Sequence, residues 1–272
     1  MTATVGTHAW SRTGTSAAPG AGATLRAEWV KFWTVRSTPW SLGAMFVLGA
    51  GLTTLVCALS AEALARGDVG EPVGAFVTWG IVFAQVTAVV LGALVVTSEY
   101  GTGMIRATLA ATPRRGAVLA AKVAVLASTL FVAGTLTALA GYLGGNWFLD
   151  REGIGLALSD DGVLRSILGS GLYLAGLGLF AAGVGLLVRH TAAALAVVLG
   201  LVFVVGNLVM VLPGAWGEWA TKLMPGNAGS RIATPESFNP LLLDPWVGFA
   251  VFAAEVAAVL VLAAVVFTRR DA

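Results

Sequence analysis

Six long stretches without charged side chains limit what this sequence can fold into. Five of them contain no Asp, Glu, Lys or Arg; they lie between Arg36 and Glu62, Glu71 and Glu99, Lys122 and Asp150, Arg165 and Arg189, and Arg189 and Glu218. The sixth, between Asp244 and Arg269, contains only Glu255. Each is long enough for the ~20 apolar residues that a helix needs to cross a bilayer. The sequence therefore predicts an all-α integral membrane protein with six transmembrane helices, at about 41–61, 74–97, 119–147, 166–188, 192–212 and 246–267.

The composition excludes an ordinary soluble domain. Of the 272 residues, 57% are hydrophobic and 11% are charged, whereas soluble domains have about 25% charged residues. The formal net charge of +2 gives no reason to expect nucleic acid as a partner. Cys57 is the only cysteine, so an intramolecular disulfide and a thiolate metal site are not expected. We interpret residues 1–23 as a disordered tail and residues 24–272 as a single membrane domain.

The distribution of Lys and Arg predicts the orientation in the membrane. With the N-terminus in the cytoplasm, eleven of the sixteen Lys and Arg residues fall on the cytoplasmic side. Positive residues favour that side. Both termini are therefore predicted to be cytoplasmic, and we expect the chain to be in the plasma membrane.

Two amphipathic segments lie outside the six stretches. In the first, Leu25, Trp29, Phe32 and Trp33 recur at helical spacing opposite Glu28 and Lys31, which indicates an interfacial helix that Pro39 separates from the first transmembrane helix. The alternative is a leading turn of that helix. In the second, Trp216, Trp219, Leu223 and Met224 predict a short helix on the outer membrane face between the fifth and sixth transmembrane helices, and the alternative there is an unstructured loop.

The segment from Ser98 to Lys122 is a cationic connection between the second and third transmembrane helices. Gly101 and Gly103 allow the chain to turn, and residues 103–111 have the length of a short surface helix. Thr112 and Pro113 suit the start of the next helix, because Thr caps free N–H groups and Pro is accepted at the first helical position. Glu99 is expected to form an ion pair with Arg106 or Arg114.

Small residues follow two stripes along the fourth predicted transmembrane helix. One stripe is Gly171, Ala175, Gly178, Ala182 and Gly185, and the other is Gly169, Gly176 and Gly183. Such stripes let helix backbones approach closely within a membrane. We interpret them as packing surfaces.

The sequence lacks the residue patterns of an enzyme. Its two histidines, His8 and His190, are far apart in sequence, and none of its three lysines follows a glycine in a phosphate-binding loop. No catalytic residue, metal ligand or cofactor is predicted. If ATP drives this protein, another polypeptide must bind it.

Three polar residues lie within predicted transmembrane helices. Glu255 is near the middle of the sixth, where an ionised group is costly, so it marks either a pathway or a structural hydrogen bond to another helix. Gln85 and Asn207 are expected to hydrogen-bond between helices, with a pathway role as the alternative.

Three sequence segments resemble the membrane subunits of type-two ATP-binding-cassette exporters, in the actinobacterial style. They are residues 28–37 (EWVKFWTVRS), residues 98–109 (SEYGTGMIRATL), which are the most specific, and TPRR at residues 112–115, followed by Lys122. Family members commonly have Arg where this chain has Tyr100. The resemblance implies an N-terminal connecting helix, a coupling helix between the second and third transmembrane helices, and a helical excursion outside the membrane.

By this resemblance, two copies of an ATP-binding-cassette ATPase would contact the coupling segment of a permease dimer, formed with a second copy or a paralogue. The implied coupling residues are Glu99, Gly101, Thr102, Met104, Ile105, Arg106, Leu109, Thr112, Pro113 and Arg114, with the apolar ones in an ATPase groove. Two other functions remain open from the residues alone: an ion-coupled carrier that uses Glu255, and a membrane scaffold or immunity protein that transports nothing.

Overall fold

A computed structural model describes residues 20–111, 114–237, 239 and 241–269. These residues form helices and connecting turns, with no strand among them. In chain order the helices are α1 (Ala21–Thr34), α2 (Ser37–Arg66), α3 (Ile81–Gly101), α4 (Met104–Ala111), α5 (Arg115–Arg151), α6 (Val163–Val188), α7 (Thr191–Val211), α8 (Gly214–Leu223), α9 (Pro225–Ser230) and α10 (Pro245–Arg269).

Six of these helices, α2, α3, α5, α6, α7 and α10, are long and apolar enough to cross a membrane. The predicted number is therefore confirmed, and the chain is a multi-pass membrane protein. The second transmembrane helix starts at Ile81, later than the predicted residue 74, because residues 73–80 form a 3-10 turn and further turns. Thr53 of α2 fixes this segment, since its hydroxyl accepts a hydrogen bond from the Gly80 N–H at 2.9 Å.

Helices α3 and α6 form the centre of the bundle. In their most apolar windows 61% and 72% of the residues are buried within the chain, whereas the other four transmembrane helices have 17–39%. The two central helices touch at glycines: a Cβ at Gly92 would lie 2.1 Å from the carbonyl oxygen of Gly178. Side chains at this crossing would force the two backbones apart.

The two predicted stripes on α6 pack against different neighbours. Gly171 faces α5, Gly178 lies between α5 and α3, and Gly185 faces α3, while a Cβ at Gly176 would lie 2.5 Å from the Phe252 ring of α10. Gly183 likewise approaches Val259 of α10. The packing interpretation of the stripes is confirmed.

Helix α1 begins at Ala21, so the last three residues assigned to a disordered tail are helical; residues 1–19 lie outside the described residues. The helix ends at Thr34, and the break to α2 falls at residues 35–36 rather than at Pro39. Pro39 instead occupies the first turn of α2, where a missing N–H costs no helical hydrogen bond. The separate N-terminal helix is confirmed, with a different boundary.

The segment between α7 and α10 is helical, as predicted, but it forms two helices that meet at Met224–Pro225. Trp216 and Trp219 of α8 are exposed. The following α9 and the 3-10 turn Arg231–Ala233 are instead largely buried against α6 and α10. This segment covers the end of the bundle at which α3 begins, which we name the Ile81 end; the opposite end is the Glu99 end.

Candidate functional site

Four charged side chains meet inside the protein at the Glu99 end. We name Glu28, Lys31, Glu99 and Lys122 the charge cluster. Lys122 Nζ donates to Glu28 Oε2 at 2.7 Å and also contacts Glu99 Oε1. Lys31 Nζ lies 3.2 Å from Glu28 Oε1 and contacts the same Glu99 oxygen. Glu99 is 1% exposed, and Glu28 and Lys122 are each 7% exposed.

Three helices supply the cluster. Glu28 and Lys31 lie one turn apart on α1, Glu99 is in the last turn of α3, and Lys122 is in the third turn of α5. Helix α5 has 37 residues, about 55 Å at 1.5 Å per residue, so it is longer than the ~30 Å hydrocarbon core. Its first turns can therefore project beyond the core, and Lys122 need not be at membrane depth.

The cluster has no net charge when both carboxylates and both ammonium groups are ionised. Burial by itself lowers the pKa of Lys31, but the hydrogen bonds and negative charges of Glu99 and Glu28 together raise this pKa above its ordinary value. Oε2 of Glu99 is buried without a hydrogen-bond partner among the described residues. A cavity of about 40 Å³ adjoins the cluster, which is room for water.

The structure gives Glu99 other partners than those expected from the sequence. It pairs with Lys31 and Lys122, while Arg114 is exposed and the Arg106 side chain lies outside the described residues. Glu28 and Lys31 were expected on the polar, outer side of an interfacial helix. Their helix instead turns this polar face to the bundle, with Trp29 and Trp33 exposed. The sequence did contain a signal for this pairing. Glu28 and Lys31 are opposite charges three residues apart within the segment at residues 28–37 that resembles exporter subunits, and Lys122 is the next lysine in the chain.

Helix α4 lies next to the cluster and matches the predicted surface helix. Gly103 precedes it with φ +69°, the left-handed conformation that glycine adopts readily. Met104 is 42% exposed, but Ile105 is 5% exposed and belongs to the core of the chain. The sequence had suggested that Ile105 inserts into a partner's groove, but this side chain instead packs inside its own chain. The Leu109 side chain lies outside the described residues.

The junctions on either side of α4 differ in detail from the prediction. Gly101 is the last residue of α3, and the exposed Thr102 hydroxyl donates to the Ser98 carbonyl at 2.8 Å. Thr112 and Pro113 lie outside the described residues. Among the described residues, the next helix begins at Arg115, after Arg114 as its cap residue.

Further contacts join the remaining helices to the Glu99 end. The guanidinium of Arg189, at the turn between α6 and α7, lies 5.1 Å from the centre of the Tyr100 ring, a favourable cation–π distance. The Thr191 hydroxyl donates to the Thr97 hydroxyl at 2.7 Å. Arg115 Nη1 donates to the Phe267 carbonyl near the end of α10 at 3.2 Å. Together with the cluster, these contacts connect five of the six long helices, α3, α5, α6, α7 and α10, at the Glu99 end.

The three intramembrane polar residues have different surroundings. Gln85 joins two helices as expected, because its Oε1 accepts a hydrogen bond from the Tyr173 hydroxyl. Asn207 does not: its amide donates to Phe203, one turn earlier on its own helix, at 2.7 Å. Oε2 of Glu255 is buried without a hydrogen-bond partner among the described residues.

A shift of any one of the three helices relative to the others would separate opposite charges of the cluster. Buried pairs lose much of their favourable energy when one partner leaves.

No group of His, Cys, Asp and Glu suited to holding a metal ion occurs among the residues that the structure describes. Neither the protein-family models nor the curated proteins contain a match to this chain.

Proposed function

We propose that this chain is the permease subunit of an ATP-binding-cassette exporter in the plasma membrane and that a separate ATPase drives it. The observation that carries the proposal is the charge cluster, which fastens α1 and the ends of α3 and α5 together directly beside α4. A force on α4 would then act on three helices at once. The resemblance of residues 28–37 and 98–109 to type-two exporter subunits supports the same role.

Within this proposal, α4 contacts the ATPase. Among the residues whose side chains the structure describes, Met104 is the apolar anchor of α4. Truncation of an apolar anchor at an interface centre can cost ~2 kcal/mol or more of binding free energy. Leu109 and Arg106 remain expected contacts by resemblance, and Arg114 is an exposed rim charge. Two such permease chains would enclose the pathway, with two ATPase subunits bound below them.

The test is purification of the tagged chain from its native membranes in a mild detergent, followed by identification of co-purified ATPases. We expect an ATP-binding-cassette ATPase with the unmodified chain and a loss of at least tenfold with Met104→Ser. The matched control is Trp216→Ser, an exposed apolar residue at the Ile81 end, which should retain the ATPase. Equal recovery with Met104→Ser would contradict docking on α4, and absence of any ATPase would contradict the proposal itself.

A second candidate function is an ion-coupled carrier that works alone, favoured by the unpartnered carboxylate oxygen of Glu255. Charged groups within membranes commonly serve ion or proton pathways. In reconstituted vesicles without an ATPase, such a carrier would move its substrate under an ion gradient, and Glu255→Gln would abolish this movement. The scaffold alternative predicts no transport with or without an ATPase.

A further inference from the structure

A cavity of about 340 Å³ lies at the Ile81 end, far from the charge cluster. Its walls come from the turn before α3, from α3 and α6, from the middle and end of α7, and from the segment at residues 226–242. One side is apolar, with Trp79, Phe203 and Met210 among its residues. The cavity therefore lies within a single chain, and no partner is needed to form it.

Two buried polar groups in this cavity have unused hydrogen-bonding capacity. Thr78 is 2% exposed, and its hydroxyl has no hydrogen-bond partner among the described residues. Gln85 is 7% exposed; its Oε1 accepts from the Tyr173 hydroxyl, and no described residue accepts a hydrogen bond from its Nε2. Buried polar groups are rarely left unsatisfied, because each costs free energy. Of the two groups, only the Thr78 hydroxyl is fully buried without a hydrogen-bond partner among the described residues; both residues line the cavity, where a bound molecule would supply further partners.

The only cationic side chain of the lining, among the described residues, is Arg231, and it bonds to the loop that follows it. Arg231 Nη1 donates to the Thr234 carbonyl at 3.1 Å and reaches the Pro235 carbonyl at 3.5 Å, which fixes the loop. Burial lowers the pKa of Arg231, and the negative charges of Asp244 and Glu236 oppose this shift only in part. Arg231 is thus a structural residue here, and the cavity offers hydroxyl and amide groups rather than an anion site.

The α7 wall has an irregular backbone. Residues Gly200–Val205 form a π-helix, and Val209–Val211 form a 3-10 turn. Short π-helical segments inside α-helices occur frequently at functional sites. Val202 and Phe203, which belong to this π-helix, both line the cavity.

We propose that this cavity binds an uncharged amphipathic molecule whose head group carries hydroxyl or carbonyl oxygens. The head group bonds to the Thr78 hydroxyl and the Gln85 amide, and the apolar part lies against Trp79, Phe203 and Met210. This site goes beyond the proposed coupling to an ATPase and does not rest on it, because the purified chain alone should bind.

The test uses the chain with Cys57→Ala and Ser230→Cys in lipid nanodiscs. Ser230 is a half-buried cavity residue, so the rate at which a maleimide labels position 230 reports occupancy. Three probes with the same eight-carbon chain are compared below their micelle-forming concentrations: octyl glucoside, octyl sulfate and octyltrimethylammonium. We expect octyl glucoside to slow labelling at concentrations at which the two charged probes have no effect.

The deciding variant is Thr78→Val, which replaces the hydroxyl by a methyl group of similar size. Because this hydroxyl bonds to none of the residues that the structure describes, the variant should fold normally, with an unchanged elution profile and melting temperature. The octyl glucoside concentration for half-maximal protection should rise about fivefold, as for one lost hydrogen bond. The matched control is Thr129→Val, which removes another buried, unpartnered hydroxyl outside this cavity and should leave protection unchanged.

Two results would overturn the proposal. One is equal protection by all three probes, which indicates partition into lipid only, and the other is a folded Thr78→Val protein that octyl glucoside protects as well as the parent.

A further pair of nanodiscs, with and without a glucosyl diacylglycerol, distinguishes the source of the ligand. Protection by this lipid alone would identify a membrane glycolipid, and protection by soluble octyl glucoside alone would identify a ligand that enters from water.

Discussion

Glu99 and Lys122 illustrate how a buried charge depends on its neighbours. Each contacts an opposite charge inside the cluster and is almost fully buried. Loss of one member of a buried pair leaves an uncompensated charge and costs about 3–5 kcal/mol of stability. We expect Lys122→Met and Glu99→Gln each to destabilise the protein by this amount in equilibrium unfolding in mixed micelles.

The double variant Glu99→Gln with Lys122→Met should be less destabilised than the sum of the single variants. It leaves Glu28 and Lys31 as a neutral pair at 3.2 Å, so the total charge of the cluster is again zero. Residues that share one network show such interaction energies. Strict additivity in the same unfolding measurement would mean that the four side chains do not act as one cluster.

The pKa of Lys31 predicts how stability depends on pH. Burial opposes the charge of Lys31, but Glu99 and Glu28 together raise its pKa above the ordinary value of 10.5. A raised pKa in the folded state stabilises the fold below pH 10.5, and this contribution is lost as the pH rises through the folded-state value. The melting temperatures of the unmodified chain and of Lys31→Met should therefore differ by a constant amount from pH 8 to pH 10 and converge above it. A difference that persists at high pH would show that packing, not charge, makes Lys31 stabilising.

For single residues, the sequence alone did not identify the contacts that depend on tertiary packing. Glu99 was recognised as an ion-pairing residue, but its partners could not be found, because Lys31 and Lys122 come from helices whose rotation depends on tertiary packing. The choice of Arg106 or Arg114 rested on closeness in sequence alone. Thr78 and Tyr173 gave no sequence signal at all, because their role depends on the shape of a cavity.

The crossing of α3 and α6 leaves no room for a side chain between the two helices. A Cβ at Gly92 would lie 2.1 Å from a backbone oxygen of Gly178, which cannot move without its helix. Overpacking of this kind typically costs 1–3 kcal/mol. We expect Gly92→Ala to lower stability by about this amount in detergent, measured by thermal unfolding.

The control for that prediction is Gly43→Ala in α2, where an added Cβ would meet nothing within 4 Å. This variant should keep the stability of the parent. If both substitutions have the same effect, helix propensity rather than the close approach of α3 and α6 determines the result.

The helices were more predictable than their junctions. Long uncharged stretches suffice to count six transmembrane helices, because hydrocarbon admits few other backbone structures. The starts of α2, α3 and α5 were misplaced, since they depend on local contacts such as the bond between Thr53 and Gly80. The apolar residues of α4 could not be divided by sequence into Met104, which is exposed, and Ile105, which is buried, because a short helix has several possible faces.

The molecule as a whole has two different ends. At the Glu99 end, charged groups tie helices together, and Arg114, Arg115, Arg189 and Arg269 lie at helix ends on the same side of the bundle. At the Ile81 end, a folded segment covers the bundle and forms one wall of the cavity of about 340 Å³. Under the proposed function, the two ends would have different roles. The Glu99 end would receive the force from the ATPase, and the Ile81 end would hold a ligand.

The positive-inside rule predicts the orientation of these ends in the membrane, with the Glu99 end in the cytoplasm. Cysteines are introduced singly at Asp160, in the exposed turn before α6, and at Arg114, beside α4, in a Cys57→Ala background. An impermeant maleimide should label position 160 in intact cells, and position 114 only after the membrane is opened. Both residues are exposed within the protein, so a difference in labelling reports the membrane and not burial. The opposite pattern would place the charge cluster outside the cell, where no ATP is available, and would exclude α4 as the contact for a cytoplasmic ATPase even if the six-helix fold were unchanged.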